Sequence, residues 1–326
     1  MERMMQADPF DPTRLTPDAL HALSIGAAAA ADAPPLHTLP MPVMRQAYKD
    51  ATRALGGEAW PLQDVRDFQA DGPLGPIPLR RYVPDGAAAP YPTIVYLHGG
   101  GWSLGDLDSH DKVCRRLAQT AGCVVVAVDY RLAPEHPAPA GPDDVLAAIR
   151  WLAAHGDALE LDTARLAVAG DSAGGGLAAM ACQLLRGQVP LRAQVLFYPG
   201  TDLSPDGDAL PSRRRNGAVP PLTLELMQAM AGPFLHPGVD TRDPRLSPLQ
   251  ATDFAGLPPA LIFTAECDAL LDDGRLYAEA LRGAGVAVDY VELPGMVHGF
   301  IEMTGVIPAA AQALERSGAF LRAHLA

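Results

Sequence analysis

Six residues, Gly170-Asp171-Ser172-Ala173-Gly174-Gly175, constrain the fold of this chain more than any other stretch. Ala164 to Ala169, apolar and short enough for a buried strand, precedes them, and Leu177 to Leu185, rich in Ala and Leu with no breaker, follows as a helix. A Gly-x-Ser-x-Gly turn between strand and helix forces the serine into a tight backbone, and a Cβ on its flanking residues would collide with neighbouring strands. The Ser172 hydroxyl is thereby pushed out above a sheet edge, with the free N–H groups of the helix start behind it where negative charge would develop. Gly-rich turns also cradle phosphates, but this one has no lysine and no Gly-x-Gly-x-x-Gly spacing. Ser172 is a candidate nucleophile.

At 326 residues the chain suits one large α/β domain with an appendage, or two small domains. Its 48% hydrophobic and 19% charged residues describe a globular chain. A formal net charge of −13 repels phosphate backbones and anionic lipid surfaces, which disfavours nucleic acid as a partner. The one basic run, Arg213-Arg214-Arg215, reads as a solvated loop. Met1 to Pro9 lacks the apolar core of a secretory signal and no apolar run reaches a membrane-spanning length, so a cytoplasmic protein without a membrane span is expected. Cys114, Cys123, Cys182 and Cys267 form no Cys-x-x-Cys pair and read as reduced, buried small hydrophobes rather than metal ligands or a disulfide framework.

Residues 1 to about 55 read as helical, broken by prolines, with Thr16 before Pro17 as a capped helix start. Leu74 to Val83 carries prolines and is expected at a sheet edge. Apolar strands at 93–97, 123–128, 164–169, 193–198, 261–264 and 286–293 then alternate with helices at 112–121, 143–155, 271–282 and 309–325, which implies a mostly parallel sheet covered on both faces. The alternation breaks between Gly200 and Pro248, a stretch rich in Pro, Arg and Gly with a helix expected at Leu222 to Met230 and too long for a plain loop.

A serine hydroxyl needs a base to remove its proton, and the base needs a carboxylate to fix its tautomer. His298, in Gly295-Met296-Val297-His298-Gly299-Phe300, follows the last expected strand directly. His324 falls in the terminal helix, and His21, His37, His110, His155 and His236 fall in helices or surface loops where a solvated role is the default. The carboxylate should end an earlier strand: Asp268 falls in the turn after Leu261 to Ala265, with Glu266 its rival, while Asp272 and Asp273 read as charge complements at a helix start. The order Ser, Asp, His is that of the α/β hydrolases. His98-Gly99-Gly100-Gly101-Trp102 follows Thr93 to Leu97, and Gly100 and Gly101, with Ala173, are the expected backbone donors to an oxyanion. Trp102, Leu203 and Met227 are the apolar residues expected to line a pocket beside Ser172.

His98 to Trp102, Asp129-Tyr130-Arg131-Leu132-Ala133-Pro134-Glu135-His136-Pro137, Gly170 to Gly175, Asp268 to Gly274 and His298-Gly299-Phe300 stand in the order of the motifs of one family. The chain resembles the hormone-sensitive-lipase-like esterases, bacterial family IV of the α/β hydrolases, over roughly residues 75 to 325. The resemblance implies an α/β-hydrolase fold with a mostly parallel eight-stranded sheet and a helical cap. It divides the chain into N-terminal cap helices over 1–50, a first part of the core over 51–200, a cap insertion over 201–247 and a second part of the core over 248–326. It also implies that Arg131 and Glu135 brace the turn beneath the catalytic loops and that His136 is packed. Ala269 stands where the family usually has proline, and Trp102 where Phe or Tyr is commoner. The activity implied is a serine carboxylesterase acting on short- to medium-chain acyl esters through an acyl-enzyme, with no metal or organic cofactor. An amidase or lactonase using the same three residues is the near alternative, and a non-catalytic small-ligand receptor the distant one. A small-molecule ester is the expected partner, with a homodimer left open.

Overall fold

The computed structural model describes residues 7–31 and 33–326; the first six residues of the expected N-terminal cap helices and Asp32 lie outside the described residues. Two helices, Pro17–Ala29 (α1) and Met41–Leu55 (α2), precede a hairpin of Asp64–Gly72 (β1) and Gly75–Val83 (β2). Alternation then sets in through Tyr91–Leu97 (β3), Asp111–Ala121 (α3), Val124–Val128 (β4), Ala140–His155 (α4), Leu161–Asp171 (β5), Ala173–Leu184 (α5) and Leu191–Phe197 (β6). Three helices, Pro205–Asp208 (α6), Pro211–Asn216 (α7) and Leu224–Phe234 (α8), interrupt it. Ala260–Cys267 (β7), Leu271–Gly283 (α9), Val288–Val297 (β8) and Pro308–Leu325 (α10) complete the chain.

The strands form one eight-stranded sheet in the order β1-β2-β4-β3-β5-β6-β7-β8. β1 with β2 and β2 with β4 are antiparallel, and every other pair is parallel. β-branched residues fill β4, Val-Val-Val-Ala-Val, because both faces of a central strand are buried and branched side chains pack well on a pleated surface. Alternate residues serve opposite faces. Val95, Leu97, Val124, Val126 and Val168 pack in one core with α4, α5 and α9, whereas Ile94, Tyr96, Val125, Ala127 and Ala167 pack in another with α3 and α10. A third, smaller cluster joins Met44 of α2 and Met230 of α8 to Leu104, Leu222 and Leu270, so α2 and α8 meet over the loops at the strand ends.

Two sequence expectations need correction. β2 is not the sheet edge: β1 lies outside it, pairing from Asp64↔Val83 to Gly72↔Gly75. On its other side β2 pairs with β4 only over Leu79–Tyr82, so Pro76 and Pro78, which have no N–H to give, stand beyond that ladder, although Pro78 O still accepts the Asp129 N–H at 3.0 Å. Arg213-Arg214-Arg215 is not a solvated loop either. It lies in α7, with Arg214 and Arg215 exposed but Arg213 buried against Asp273 at 2.9 Å. The four cysteines are buried and unbridged. Among the described residues no helix is long and apolar enough to cross a membrane.

The parallel strands all deliver their C-terminal ends to one edge of the sheet, where the elbow after β5 leaves its glycines no room for side chains. A Cβ added at Gly174 would stand 1.9 Å from the Leu97 carbonyl oxygen and 2.5 Å from that of His98. Helix α5 can therefore start beside the end of β3 only with glycine there. In contrast, nothing lies within 4 Å of a Cβ at Gly26 in α1. Gly174→Ala is expected to lower unfolding stability by about 2–4 kcal/mol or to prevent folding. Gly26→Ala should raise it by about 0.5–1 kcal/mol. Urea melts of the two variants check the contrast, and equal stabilities would contradict it.

Candidate active site

Four loops leave that sheet edge, and each carries one part of the site. Ser172 sits between β5 and α5 with φ 55° and ψ −119°, a backbone that costs a side-chain-bearing residue about 1–3 kcal/mol. Its amide donates to Phe197 O at 2.9 Å, and its carbonyl accepts from Gly200 N–H and Gly176 N–H at 3.0 Å each, so the strained turn is held from three sides. Asp268 follows β7 and His298 follows β8, and the structure brings all three side chains together. The Asp268 carboxylate can only accept, so His298 Nδ1–H donates to Asp268 Oδ2 at 2.7 Å. That tautomer leaves Nε2 free of hydrogen to accept from Ser172 Oγ–H at 2.9 Å. Asp268 Oδ1 takes the Leu270 N–H at 2.8 Å, which fixes the carboxylate plane. Ser172 and His298 each keep 8% of their surface exposed while Asp268 is sealed at 1%, so the chain of bonds runs from the interior to an opening.

The rivals of Asp268 are used elsewhere. Glu266 accepts the Gly295 N–H at 2.9 Å and faces Arg215 at 3.3 Å. Asp272 and Asp273 are more than charge complements for α9. Asp272 accepts Ser212 N–H at 2.8 Å, and Asp273 is fully buried against Arg213 and accepts Thr201 N–H at 3.1 Å. They moor the 201–216 stretch to the start of α9. Burial pushes Asp273 up to about 6 against the pull of Arg213.

The glycine run after β3 bends back over Ser172. Gly100 and Gly101 adopt φ 112° and 60°, which suit glycine, and Gly101 lines the same openings as Ser172. Among the described residues neither the Gly100 nor the Gly101 N–H donates to another backbone carbonyl. The Ala173 N–H is a first-turn amide of α5 and has no intrahelical partner. The run is braced from below: Tyr130 stacks on His98 at 4.3 Å and donates its hydroxyl to His98 O at 2.7 Å. Arg131 pairs with Asp144 at 2.6 Å, and Glu135 pairs with Arg45 of α2 at 2.7 Å. Arg45 also donates to Ser103 O and Ala133 O, each at 2.8 Å. His136, expected to be packed, is exposed because its turn projects past this brace.

Ser172 stands between two spaces of unequal size. A cavity of about 560 Å³ opens on one side, lined by Tyr48, Leu104, Leu222 and Leu226 together with Gly100 and His298. A chamber of about 50 Å³ lies on the other, lined by Trp102, Leu203, Met227, Ala173 and the Arg213–Asp273 pair. Trp102, Leu203 and Met227 thus line the small chamber. Trp102 is fixed there by stacking on Phe234 at 5.0 Å. Much of the wall of the large cavity comes from α1, α2, α8 and the turn before α8, segments expected as cap elements but from which only Met227, in the small chamber, was named as a pocket residue.

One histidine expected to be solvated is not. His110, at the start of α3, is 1% exposed and lies between Asp171 and Glu302, because the end of β5 and the turn after His298 converge on it. Burial alone would pull its pKa down, but the two carboxylates outweigh that and hold it at about 10. Asp171 in turn is pushed up by burial but held below its usual range by the His110 cation. His110, Asp171 and Glu302 are also the one group among the described residues with the spacing of metal ligands. A protonated imidazole inside that group already supplies its positive charge.

Residues 94–302 match the family model described as the alpha/beta hydrolase fold. Over 270 residues the chain is 47% identical to a carboxylesterase of Mycobacterium tuberculosis, covering 80% of this chain and 82% of that one. It is 38% identical over 297 residues to an ethyl acetate hydrolase of Pseudomonas putida, covering 89% and 92%. An alpha/beta hydrolase enzyme from the metagenome of Lake Arreo, Spain, shares the fold at TM-score 0.91 and 40% identity, with 96% of this chain and 99% of that one covered.

The buried polar layer under the site predicts acid sensitivity. Burial, then the neighbouring His110 cation, pull His98 down to about 4. An unfolded chain takes up a proton on such an imidazole near pH ~6.5. The unfolded state therefore binds the proton first, and stability falls as pH drops from about 6.5 towards about 4. Urea melts across that interval should show the decline, and His98→Gln should flatten it; an unchanged slope in the variant would contradict the assignment.

Proposed function

Because the chain belongs to the hormone-sensitive-lipase-like esterases of the α/β-hydrolase family, we propose that it is a serine carboxylesterase with Ser172 as nucleophile, His298 as base and acid, and Asp268 orienting His298. The observation that carries this reading is the unbroken hydrogen-bond chain Asp268–His298–Ser172, opening on a largely apolar cavity. Ser172 Oγ attacks the ester carbonyl while its proton passes to His298 Nε2, and Asp268 steadies the imidazolium that results. The carbonyl oxygen becomes anionic against the N–H groups of Gly100, Gly101 and Ala173, donors of a kind worth about 3 kcal/mol each in the transition state. The tetrahedral intermediate collapses, the alcohol leaves with the proton from Nε2, and water deprotonated by the same nitrogen then releases the acid from Ser172.

The two spaces around Ser172 support an orientation for the substrate. His298 must reach the leaving oxygen to protonate it, so the alcohol lies on the His298 side. His298 lines the large cavity and does not line the small chamber. The alcohol portion then occupies the 560 Å³ cavity and the acyl group the 50 Å³ chamber. Each methylene buried in the apolar cavity adds about 0.8 kcal/mol, whereas a chain longer than the chamber must displace Trp102 or Met227. The preferred substrates are esters of short acids with larger, apolar alcohols.

Ser172→Ala should lower kcat on an aryl acetate by about 10⁴-fold or more without lowering the melting temperature. Near wild-type turnover in that variant would overturn the nucleophile. In a series of wild-type rates, kcat/KM should rise as the alcohol of an acetate ester lengthens and fall as the acyl chain grows beyond butyryl. The opposite trend would reverse the orientation while leaving the chemistry in place.

A further inference from the structure

Beneath the site lies a charged cluster that the ester chemistry does not use. Asp171 precedes the nucleophile, and its Oδ1 accepts the Gly99 N–H at 3.0 Å and the Tyr96 hydroxyl at 2.8 Å. His110 Nε2 lies 3.2 Å from Asp171 Oδ1 and 2.9 Å from Glu302 Oε1. Glu302 belongs to the turn that carries His298, and it accepts the hydroxyl of Tyr48, a residue of α2. His110 Nδ1 lies 2.9 Å from Ser109 Oγ, whose own proton goes to Asp106 O at 2.9 Å, so Nδ1–H donates. Nε2 faces carboxylates, so it donates as well; the Gly99 N–H, 3.3 Å from Nε2, makes its shorter bond to Asp171. With acceptors facing both ring nitrogens and two carboxylates at Nε2, the contacts suit an imidazolium, and against the downward pull of burial the same two carboxylates hold the His110 pKa at about 10. The remaining groups that face it are Tyr48 from α2, Tyr96 from β3 and His98 from the glycine loop, all uncharged partners at ring distances of 5.5–6.2 Å.

Each end of this cluster holds a separate segment of the site. Asp171 ties the nucleophile turn to the first amide of the glycine run, Glu302 ties the His298 turn, and Tyr48 ties the helix that walls the large cavity. A lone buried carboxylate would take up a proton or draw in water and turn away from its amide partner. We propose that His110 is a positioning residue, a buried cation between Asp171 and Glu302 that sets the oxyanion loop, the nucleophile and the His298 turn in mutual register, and that Tyr48 makes this register depend on the seating of helix α2. The inference rests on the esterase reading. It assigns no new chemistry to His110, which touches no substrate atom. It assigns the accuracy with which the N–H groups of Gly100 and Gly101 meet the oxyanion.

A register fault of this kind weakens the transition state more than the ground state, and a displacement of about 1 Å costs about 10²-fold in rate. His110→Gln keeps a donor and loses the charge. Its kcat on a short ester should fall by about 10²-fold with KM within about threefold of wild type. Tyr48→Phe removes one hydroxyl and should lower kcat by about tenfold, again with little change in KM. The double variant should be no slower than His110→Gln, because both act through one chain of contacts. A folded His110→Gln enzyme with wild-type kcat, or losses that multiply in the double variant, would overturn the proposal. If His110→Gln does not fold, Tyr48→Phe decides alone, and an unchanged kcat overturns the coupling. Wild-type protein without ester turnover would instead remove the reading on which the proposal stands, a distinct result.

Discussion

The close approach of helix α5 to the end of β3 sets the terms for everything above the sheet. Gly174 has no side chain, so the α5 backbone can lie against the carbonyls of Leu97 and His98. Only at that spacing does the strand-to-helix turn become tight enough to lift Ser172 clear, with φ at 55°, and to set the first amides of α5 facing the same point as the glycine run. The strain at Ser172 is held by neighbours on β6 and its following loop through Phe197 and Gly200. Backbone geometry brings Ser172 up beside the glycine run, and the side chain of Asp171 ties the two together through the Gly99 N–H.

Parallel strand direction does the rest of the assembly. β3, β5, β7 and β8 all point their C-terminal ends the same way, so the glycine run, Ser172, Asp268 and His298 arrive at one edge although they lie far apart in sequence. This explains why so much was legible beforehand. Central strands buried on both faces are written as short apolar, β-branched runs, and turn residues that follow them are written as glycines and isolated polar residues. β1 escaped because Asp64–Gly72 mixes charged, polar and apolar residues with neither an apolar run nor a clean alternation, at an edge where only Ala70 is buried. The helices of the cap were expected, but the residues with which they line the large cavity were not, because Met44 of α2 and Met230 of α8 pack on loop residues such as Leu104, Leu222 and Leu270, not on the sheet.

Charges were harder to read than strands. Arg213 looks solvated beside Arg214 and Arg215, yet it is the counter-charge for Asp273, and only the pairing of an acid-rich helix start with a distant basic run hints at that. His110 looks like any histidine at a helix start, and its partners sit in two other loops. Both cations are buried against carboxylates that the loops over the sheet edge enclose. A buried carboxylate without a partner is expensive, so the cations and the loop positions are settled together. Some of the chain's carboxylates are thus turned inward, where with their cations they hold the loops together.

The central claim is that one hydroxyl, lifted by backbone strain, is bonded to an imidazole nitrogen and exposed to a cavity. Mass spectrometry of protein treated with an activated phosphonate ester tests this most directly, since such a reagent is captured by an activated serine. The account predicts one phosphonyl adduct per chain, on the peptide carrying Ser172, and loss of the adduct when His298 is replaced by Gln. Labelling on another residue, or undiminished labelling of Ser172 without His298, would contradict it.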